Sequence, residues 1–316
     1  MYVITNREIS NEPGLKAFGE KLNSKGPNEL RLLNVSRKKD NSWDVKAFAD
    51  TLSKPKIKSL NTKYNLSIDV NEPWYGSLEL ACNLFSKAQK EKKSILIFVH
   101  GFNNDIEDVL IAADEIEKLY NVIVVPFTWP ANGGGAVSGL LSYKSDKSDA
   151  RASTGALNRV FGKIQTLHSL LTVERKKELQ RRARNKYPNN QVEAHAYFSQ
   201  LMEKDCPVTL NLLCHSMGNY LLKHTLKTSE TTASELIFDN INLVAADTNS
   251  AQHARWIGKL DCRMRVNIII NENDAALKAS RIKPGEEQLA RLGHYIRDLN
   301  SPNACYIDVT HTPHVG

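Results

Sequence analysis

The sequence predicts an α/β fold, a mostly parallel sheet with helices on both faces, and three observations carry that prediction. Short apolar runs alternate with amphipathic helical segments along most of the chain. Ile95-Leu-Ile-Phe-Val99 is apolar without alternation, as a strand buried on both faces requires. Val208-Thr-Leu-Asn-Leu-Leu-Cys214-His215-Ser216-Met217-Gly218-Asn219-Tyr220 is an apolar run that ends on a serine among small residues and then turns helical. That is the sequence shape of a nucleophile elbow, in which a strand turns sharply into a helix and presents one hydroxyl at the top of a sheet. The turn needs small residues two before and two after the serine. Gly218 meets the need, and Cys214 stands where the common pattern has glycine.

In chain order, apolar runs predict strands at residues 1–5 and 30–35. A helix over residues 76–91 precedes the strand at 95–99, which ends at His100-Gly101-Phe102-Asn103-Asn104. Asp105 stands near the start of the next helix, and a strand follows at 122–127. The loop after it contains Gly133-Gly134-Gly135. That triplet has neither the lysine spacing of a phosphate-binding loop nor a full G-x-G-x-x-G, so it is read as a connector. From 156 to 186, Leu157, Val160, Phe161, Ile164, Leu167 and Leu171 recur at spacings of three and four and give a helix one apolar face. The face is expected to pack on the sheet; a lid over the site is the alternative. Pro188-Asn-Asn breaks that helix, and a shorter one at 192–203 leads into the elbow strand. Further strands are expected at 241–246, 266–270 and 305–309. One domain over 1–316 is expected, with a helical insertion at 162–204 before the nucleophile strand.

Composition narrows the class. The 316 residues are 41% hydrophobic, and no apolar run approaches the roughly 20 residues that span a bilayer. The N-terminus lacks a basic segment followed by an apolar one, and five cysteines (Cys82, Cys206, Cys214, Cys262, Cys305) show no metal-finger spacing. Free thiols and a cytoplasmic location are therefore expected. The net charge of +7 is concentrated at Arg175, Lys176, Lys177, Arg181, Arg182, Arg184 and Lys186. Glu174 and Glu178 lie within that window at helical spacing, so a solvated helix face is preferred to a membrane-binding patch. No zinc-finger spacing or RRM-like aromatic motif points to nucleic acid.

A serine hydroxyl needs a base to accept its proton, a carboxylate to orient that base, and donors for the oxyanion. In an elbow-bearing sheet these follow in the order serine, acid, histidine. Asp274 stands just past the apolar run at 267–271 and also suits the N-cap of the helix that follows. Asp247 is the second candidate acid. His311 and His314 lie just beyond the last strand, and His314 is preferred as base. His215, His224 and His294 fit that order less well, and His100 is assigned to shaping the oxyanion loop. The backbone N–H groups of Met217 and Phe102 are the candidate oxyanion donors, Gly101 allowing the tight turn between.

Six segments together resemble the α/β-hydrolase superfamily and, more narrowly, a bacterial group of α/β-hydrolases known as DUF900. They are Val3-Ile-Thr-Asn-Arg7, Ile97-Phe-Val-His-Gly-Phe-Asn-Asn104, Phe127-Thr-Trp-Pro130, Asp149-Ala-Arg-Ala-Ser153, Leu213-Cys-His-Ser-Met-Gly-Asn219 and Asn273-Asp-Ala-Ala-Leu277. The resemblance implies a Ser-Asp-His hydrolase fold and carries Ser216 and Asp274 onto matching positions. It departs in two places. The helical stretch at 162–204 is longer than in similar proteins. Their histidine also lies in a G-H-S-Y-F-like segment past the last strand, so here His311 or His314 substitutes, or the base lies beyond residue 316. The expected activity is cleavage of a carboxylic ester, thioester or lipid-like acyl substrate through an acyl-enzyme, with no metal or organic cofactor. A catalytically silent hydrolase-fold scaffold and a basic-surface binder are the rival readings.

Overall fold

A computed structural model describes residues 1–131, 139–205, 208–228, 236–281 and 290–312, the side chains of 139–142 and 228 excepted. The connector glycines 133–135, Cys206 and His314 lie outside the described residues. The chain forms two compact units, one of Met1–Ala47, Ile95–Phe161 and Leu210–Gly316, the other of Phe48–Ser94 and Gly162–Thr209. Its elements in order are β1 (Tyr2–Thr5), β2 (Arg7–Ile9), β3 (Phe18–Leu22), β4 (Arg31–Arg37), β5 (Trp43–Ala47), α1 (Lys54–Tyr64), α2 (Gly76–Glu91), β6 (Ile95–Val99), α3 (Ile106–Tyr120) and β7 (Ile123–Thr128). They continue with α4 (Gly139–Ala152), α5 (Thr154–Lys186), α6 (Gln191–Lys204), β8 (Leu210–His215), α7 (Met217–Thr228), β9 (Phe238–Val244), α8 (Ala254–Ile257), β10 (Cys262–Ile270), α9 (Ala275–Ser280) and β11 (Ala304–Asp308).

The first unit is built on a nine-stranded sheet in the order β11-β10-β9-β8-β6-β7-β1-β4-β5. Strands β11 through β1 run parallel, and β4 and β5 add an antiparallel edge. Every residue of β6 and β7 is buried, which is why those segments read as unbroken apolar runs. Each fully buried aliphatic side chain there contributes on the order of 1.5–3 kcal/mol. Val109, Leu110 and Ala113 of α3 pack on Val3, Leu33, Leu96, Phe98 and Val124 of the sheet. Asp105 caps α3 in a reciprocal capping box with Asp108.

In register, Val99 of β6 lies beside Cys214 of β8, and His215 lies beside Val244 of β9. The residues that follow these strands, His100, Ser216 and Ala245, therefore emerge together at the carboxyl edge of the sheet. Ligands of open α/β sheets bind outside that edge.

The second unit has its own core. Ile57, Leu60, Ile68, Leu78, Ala81, Cys82, Leu167 and Leu171 are buried together. Its basic window is partly neutralised within the unit. Arg175 binds Asp205 with Nε and Nη2 (3.0–3.1 and 2.7 Å) and Glu178 with Nη1 at 2.5 Å. The Glu174 carboxylate, itself buried, takes Lys177 at 2.7 Å and the Ser67 N–H at 2.6 Å. Cys82, Cys214, Cys262 and Cys305 are free thiols. No helix among the described residues is long and apolar enough to cross a membrane.

Candidate active site

Ser216 is the hinge of the strand β8–helix α7 turn and has φ of 50°. A non-glycine residue there is strained by roughly 1–2 kcal/mol, so neighbouring structure must hold it. The Ser216 N–H donates to the Val244 carbonyl at 3.0 Å, and the Ser216 carbonyl accepts the Asp247 N–H at 3.2 Å. Asn219, wholly buried, points its Nδ2 at three carbonyls, those of Cys214 (3.0 Å), Ser216 (3.2 Å) and Val244 (3.1 Å). This side chain ties the serine to both flanking strands. Its place in the motif is visible in sequence, but its reach to β9 is not.

Two glycines make the close approach possible. A Cβ at Gly218 would stand 2.5 Å from the Val99 carbonyl oxygen and 2.7 Å from that of His100. A Cβ at Gly101 would stand 2.8 Å from the Ser216 Cβ. The loop after β6 thus passes directly against the serine, as an oxyanion loop must. Met217 is the first residue of α7, so its N–H has no acceptor within the helix. Phe102 follows Gly101 in that loop, and its ring meets Tyr143 edge-on at 5.4 Å. Cys214 is fully buried, and burial alone pushes its thiol well above the usual range.

His100 shapes this loop from within. It stacks on Trp129 at 5.2 Å, its Nε2 accepts the Trp129 N–H at 3.3 Å, and Nδ1 donates to the Gly101 carbonyl at 2.9 Å. Burial first, then the Arg7 charge, pushes its pKa from 6.5 down to about 3. The folded value lies below the unfolded one, so the unfolded chain binds the extra proton between pH 6.5 and 3. Stability is then lost as pH falls through that window, by up to about 1.4 kcal/mol per pH unit. His100→Gln should show a shallower fall than the wild type in urea unfolding between pH 6.5 and 4.5; equal slopes would contradict this account.

The candidate acids differ in what they touch. Asp274 caps α9 through Oδ1, which accepts the Leu277 N–H at 2.9 Å. A carboxylate has further acceptor positions, so the cap leaves it able to face an imidazole. Its charge reaches His215, whose pKa is lowered by burial and raised in part by Asp274. Asp247 is buried and engaged on both oxygens: Oδ1 with Ser280 Oγ (2.7 Å) and Arg291 Nε (3.1 Å), Oδ2 with Tyr143 Oη (2.9 Å).

The histidines are distributed as follows. His311 is exposed on the turn after β11. That turn is tied to the Asp274 loop, since Thr310 Oγ1 accepts the Glu272 N–H at 3.0 Å and the Thr310 carbonyl accepts Asn273 Nδ2 at 2.9 Å. His294 lies on a segment that crosses the ends of β9 and β10. The Gly293 N–H donates to Ala246 at 3.0 Å, and its carbonyl accepts the Asn271 N–H at 2.9 Å. Both ring nitrogens of His294 are buried and have no hydrogen-bond partner among the described residues. Buried polar atoms without partners are uncommon and ask for a reason. The sequence signal for this segment was Gly293-His294, which stands before the last strand instead of after it. No group of three His, Cys, Asp or Glu side chains among the described residues is placed to hold a metal ion.

A parallel sheet with an antiparallel edge, carrying a strained serine between its β8 and α7, defines an α/β-hydrolase fold. The chain belongs to the family described as alpha/beta hydrolase of unknown function (DUF900), whose model matches residues 79–174 and 179–304. Comparison with the curated proteins and with the solved structures returned no match.

Proposed function

We propose that the protein is a serine hydrolase that cleaves a carboxylic ester or thioester through an acyl-enzyme on Ser216. The observation that carries this reading is the elbow itself. A serine at φ 50° is kept strained by bonds to Val244, Asp247 and Asn219, and two glycines admit the oxyanion loop and the helix against it. Strain of this kind persists where geometry serves chemistry. In this mechanism Ser216 Oγ attacks the carbonyl carbon and its proton passes to the histidine. The histidine returns that proton to the departing alcohol or thiol, and water then repeats the sequence to release the acid. Asp274 orients the imidazole, and the N–H groups of Met217 and Phe102 stabilise the oxyanion.

The base is assigned to His314 first and His311 second; the turn that carries His311 is hydrogen-bonded through Thr310 to the loop of Asp274. A second reading gives the role to His294, on the strength of its two buried, partnerless ring nitrogens. Pre-steady-state hydrolysis of a 4-nitrophenyl ester tests both. A burst of one nitrophenolate per protein supports the acyl-enzyme. Loss of the burst in His314→Ala or His311→Ala, with the burst retained in His294→Ala, assigns the base to the last loop. The opposite pattern assigns it to His294. A folded wild type without turnover of esters or thioesters favours a silent scaffold.

A further inference from the structure

Helix α4 carries Tyr143, Lys147 and Arg151 at intervals of four, and α7 carries Tyr220, Lys223, His224 and Lys227 at intervals of three and four. Each set shares one helix face, and the two helices pack against each other. The two faces interlock. Lys147 Nζ lies 4.6 Å over the Tyr220 ring and 6.0 Å from that of Tyr143. Arg151 donates from Nε to Tyr220 Oη, with its guanidinium carbon 5.6 Å over the same ring. The Tyr220 and His224 rings stand 4.3 Å apart.

Among the described residues, cations dominate this place. Burial and then Arg291 push the Lys147 ammonium down to about 8, Asp247 opposing. His224 falls to about 4, through burial and then Lys227, Arg151, Lys223 and Lys147. Lys223 is lowered by burial, then by Lys227 and Arg291. Asp247 faces the group, but both of its oxygens are already engaged by Tyr143, Ser280 and Arg291. Lys147, Lys223 and His224 are half-buried and Arg151 and Lys227 exposed beside them; gathering like charges in this way costs free energy that an incoming anion recovers. A cluster kept only for structure would be better served by alternating signs.

One end of the cluster, at Tyr143 and Tyr220, lies towards the nucleophile. Tyr220 stands one turn beyond Ser216 on α7, and Tyr143 meets Phe102 of the loop that passes the serine. Asp247 donates its backbone N–H to the Ser216 carbonyl. We infer that the substrate is an anionic ester, its oxyanion group seated between α4 and α7 by Lys147, Arg151 and Lys223 while its ester carbonyl meets Ser216. The inference rests on the hydrolase reading of Ser216. Paired aromatic rings and charged side chains give the seat a rigid floor and a polar rim, which is how small-ligand sites fix orientation.

Two measurements test it. The first is independent of turnover: thermal melting of Ser216→Ala with inorganic phosphate or glutarate, against potassium chloride of equal ionic strength. At least one of the two anions should raise Tm. That rise should fall by at least half in Arg151→Met and in Lys223→Met, and persist in Lys118→Met, an exposed residue in the last turn of α3. No anion-specific rise, or a rise indifferent to Arg151 and Lys223, overturns the site whether or not the protein is a hydrolase. The second compares 4-nitrophenyl butyrate with the 4-nitrophenyl monoester of glutaric acid. The charged ester should have the higher kcat/KM, and Lys147→Gln, Arg151→Met and Lys223→Met should each cut the charged-to-neutral ratio at least fivefold. A wild type that prefers the neutral ester overturns the substrate assignment. One that binds the anion but cleaves neither ester overturns the hydrolase reading, and the substrate assignment with it.

Discussion

Ser216→Gly is expected to leave the protein without detectable esterase activity and more stable than the wild type by about 1 kcal/mol. The residue has φ of 50°, where an L side chain is strained and glycine is not. Part of the relief is offset by the greater freedom of glycine in the unfolded chain, which keeps the gain small. Ser216→Ala removes the same hydroxyl and keeps the Cβ, so it should be as inactive while its stability stays within about 0.5 kcal/mol of the wild type. Losing the nucleophile of such a site lowers kcat by roughly 10⁴-fold or more. Urea unfolding of the three proteins reads the strain directly. Equal stability of Ser216→Gly and Ser216→Ala would mean that the elbow stores none.

Gly293→Ala should be strongly damaging, since its would-be Cβ makes the shortest approach found at any described glycine. Its Cβ would lie 2.1 Å from the Ala246 nitrogen, 2.4 Å from the Ala245 carbonyl carbon and 2.7 Å from the Ala245 Cα, all of them backbone. No side chain can swing away, so the segment crossing β9 must lift, at a cost on the order of 3 kcal/mol. Val244 and Asp247 on either side of that contact hold Ser216 in place, so the displacement should reach the nucleophile as well. Gly162→Ala is the matched control. It lies inside α5 with nothing within 4 Å of its would-be Cβ, so it should gain up to about 1 kcal/mol of helix stability. Opposite signs in urea unfolding are expected. A tolerated Gly293→Ala would show that the segment does not pack on the elbow as described.

Much of the parallel core was legible because continuous apolar runs can serve few purposes in a chain of this length. The strands at 95–99 and 123–128, and the helices Gly76–Glu91 and Ala275–Ser280, fall within a residue or so of where periodicity and caps put them. The hairpin of β2 and β3, and the edge strand β5, were not legible: they are short, partly exposed and without alternation long enough to register. Helix α4 also escaped. Its Ser-, Lys- and Asp-rich sequence has little apolar periodicity, and its buried Tyr143, Asp146 and Ala150 depend on tertiary contacts. The second unit draws on two separated stretches, 48–94 and 162–209, so no composition shift along the chain marks it.

The site divides in the same way. Ser216 and Gly218 could be read from the sequence because the elbow's own sterics dictate them. Asn219 stands in the visible elbow motif and Gly293 beside a visible histidine, but their roles, like that of Tyr143, come from strands and loops distant in sequence. Histidine is the hardest case, since nine are present and the residue type alone does not say which one faces the serine.

Whether Ser216 is an activated nucleophile decides whether this protein is a serine hydrolase. Intact-mass measurement after exposure to a fluorophosphonate reads this in one step. One phosphonyl adduct per wild-type chain is expected, located by peptide mapping on Ser216 and absent from Ser216→Ala. A folded wild type that stays unmodified, or an adduct that persists in Ser216→Ala, would contradict the hydrolase reading.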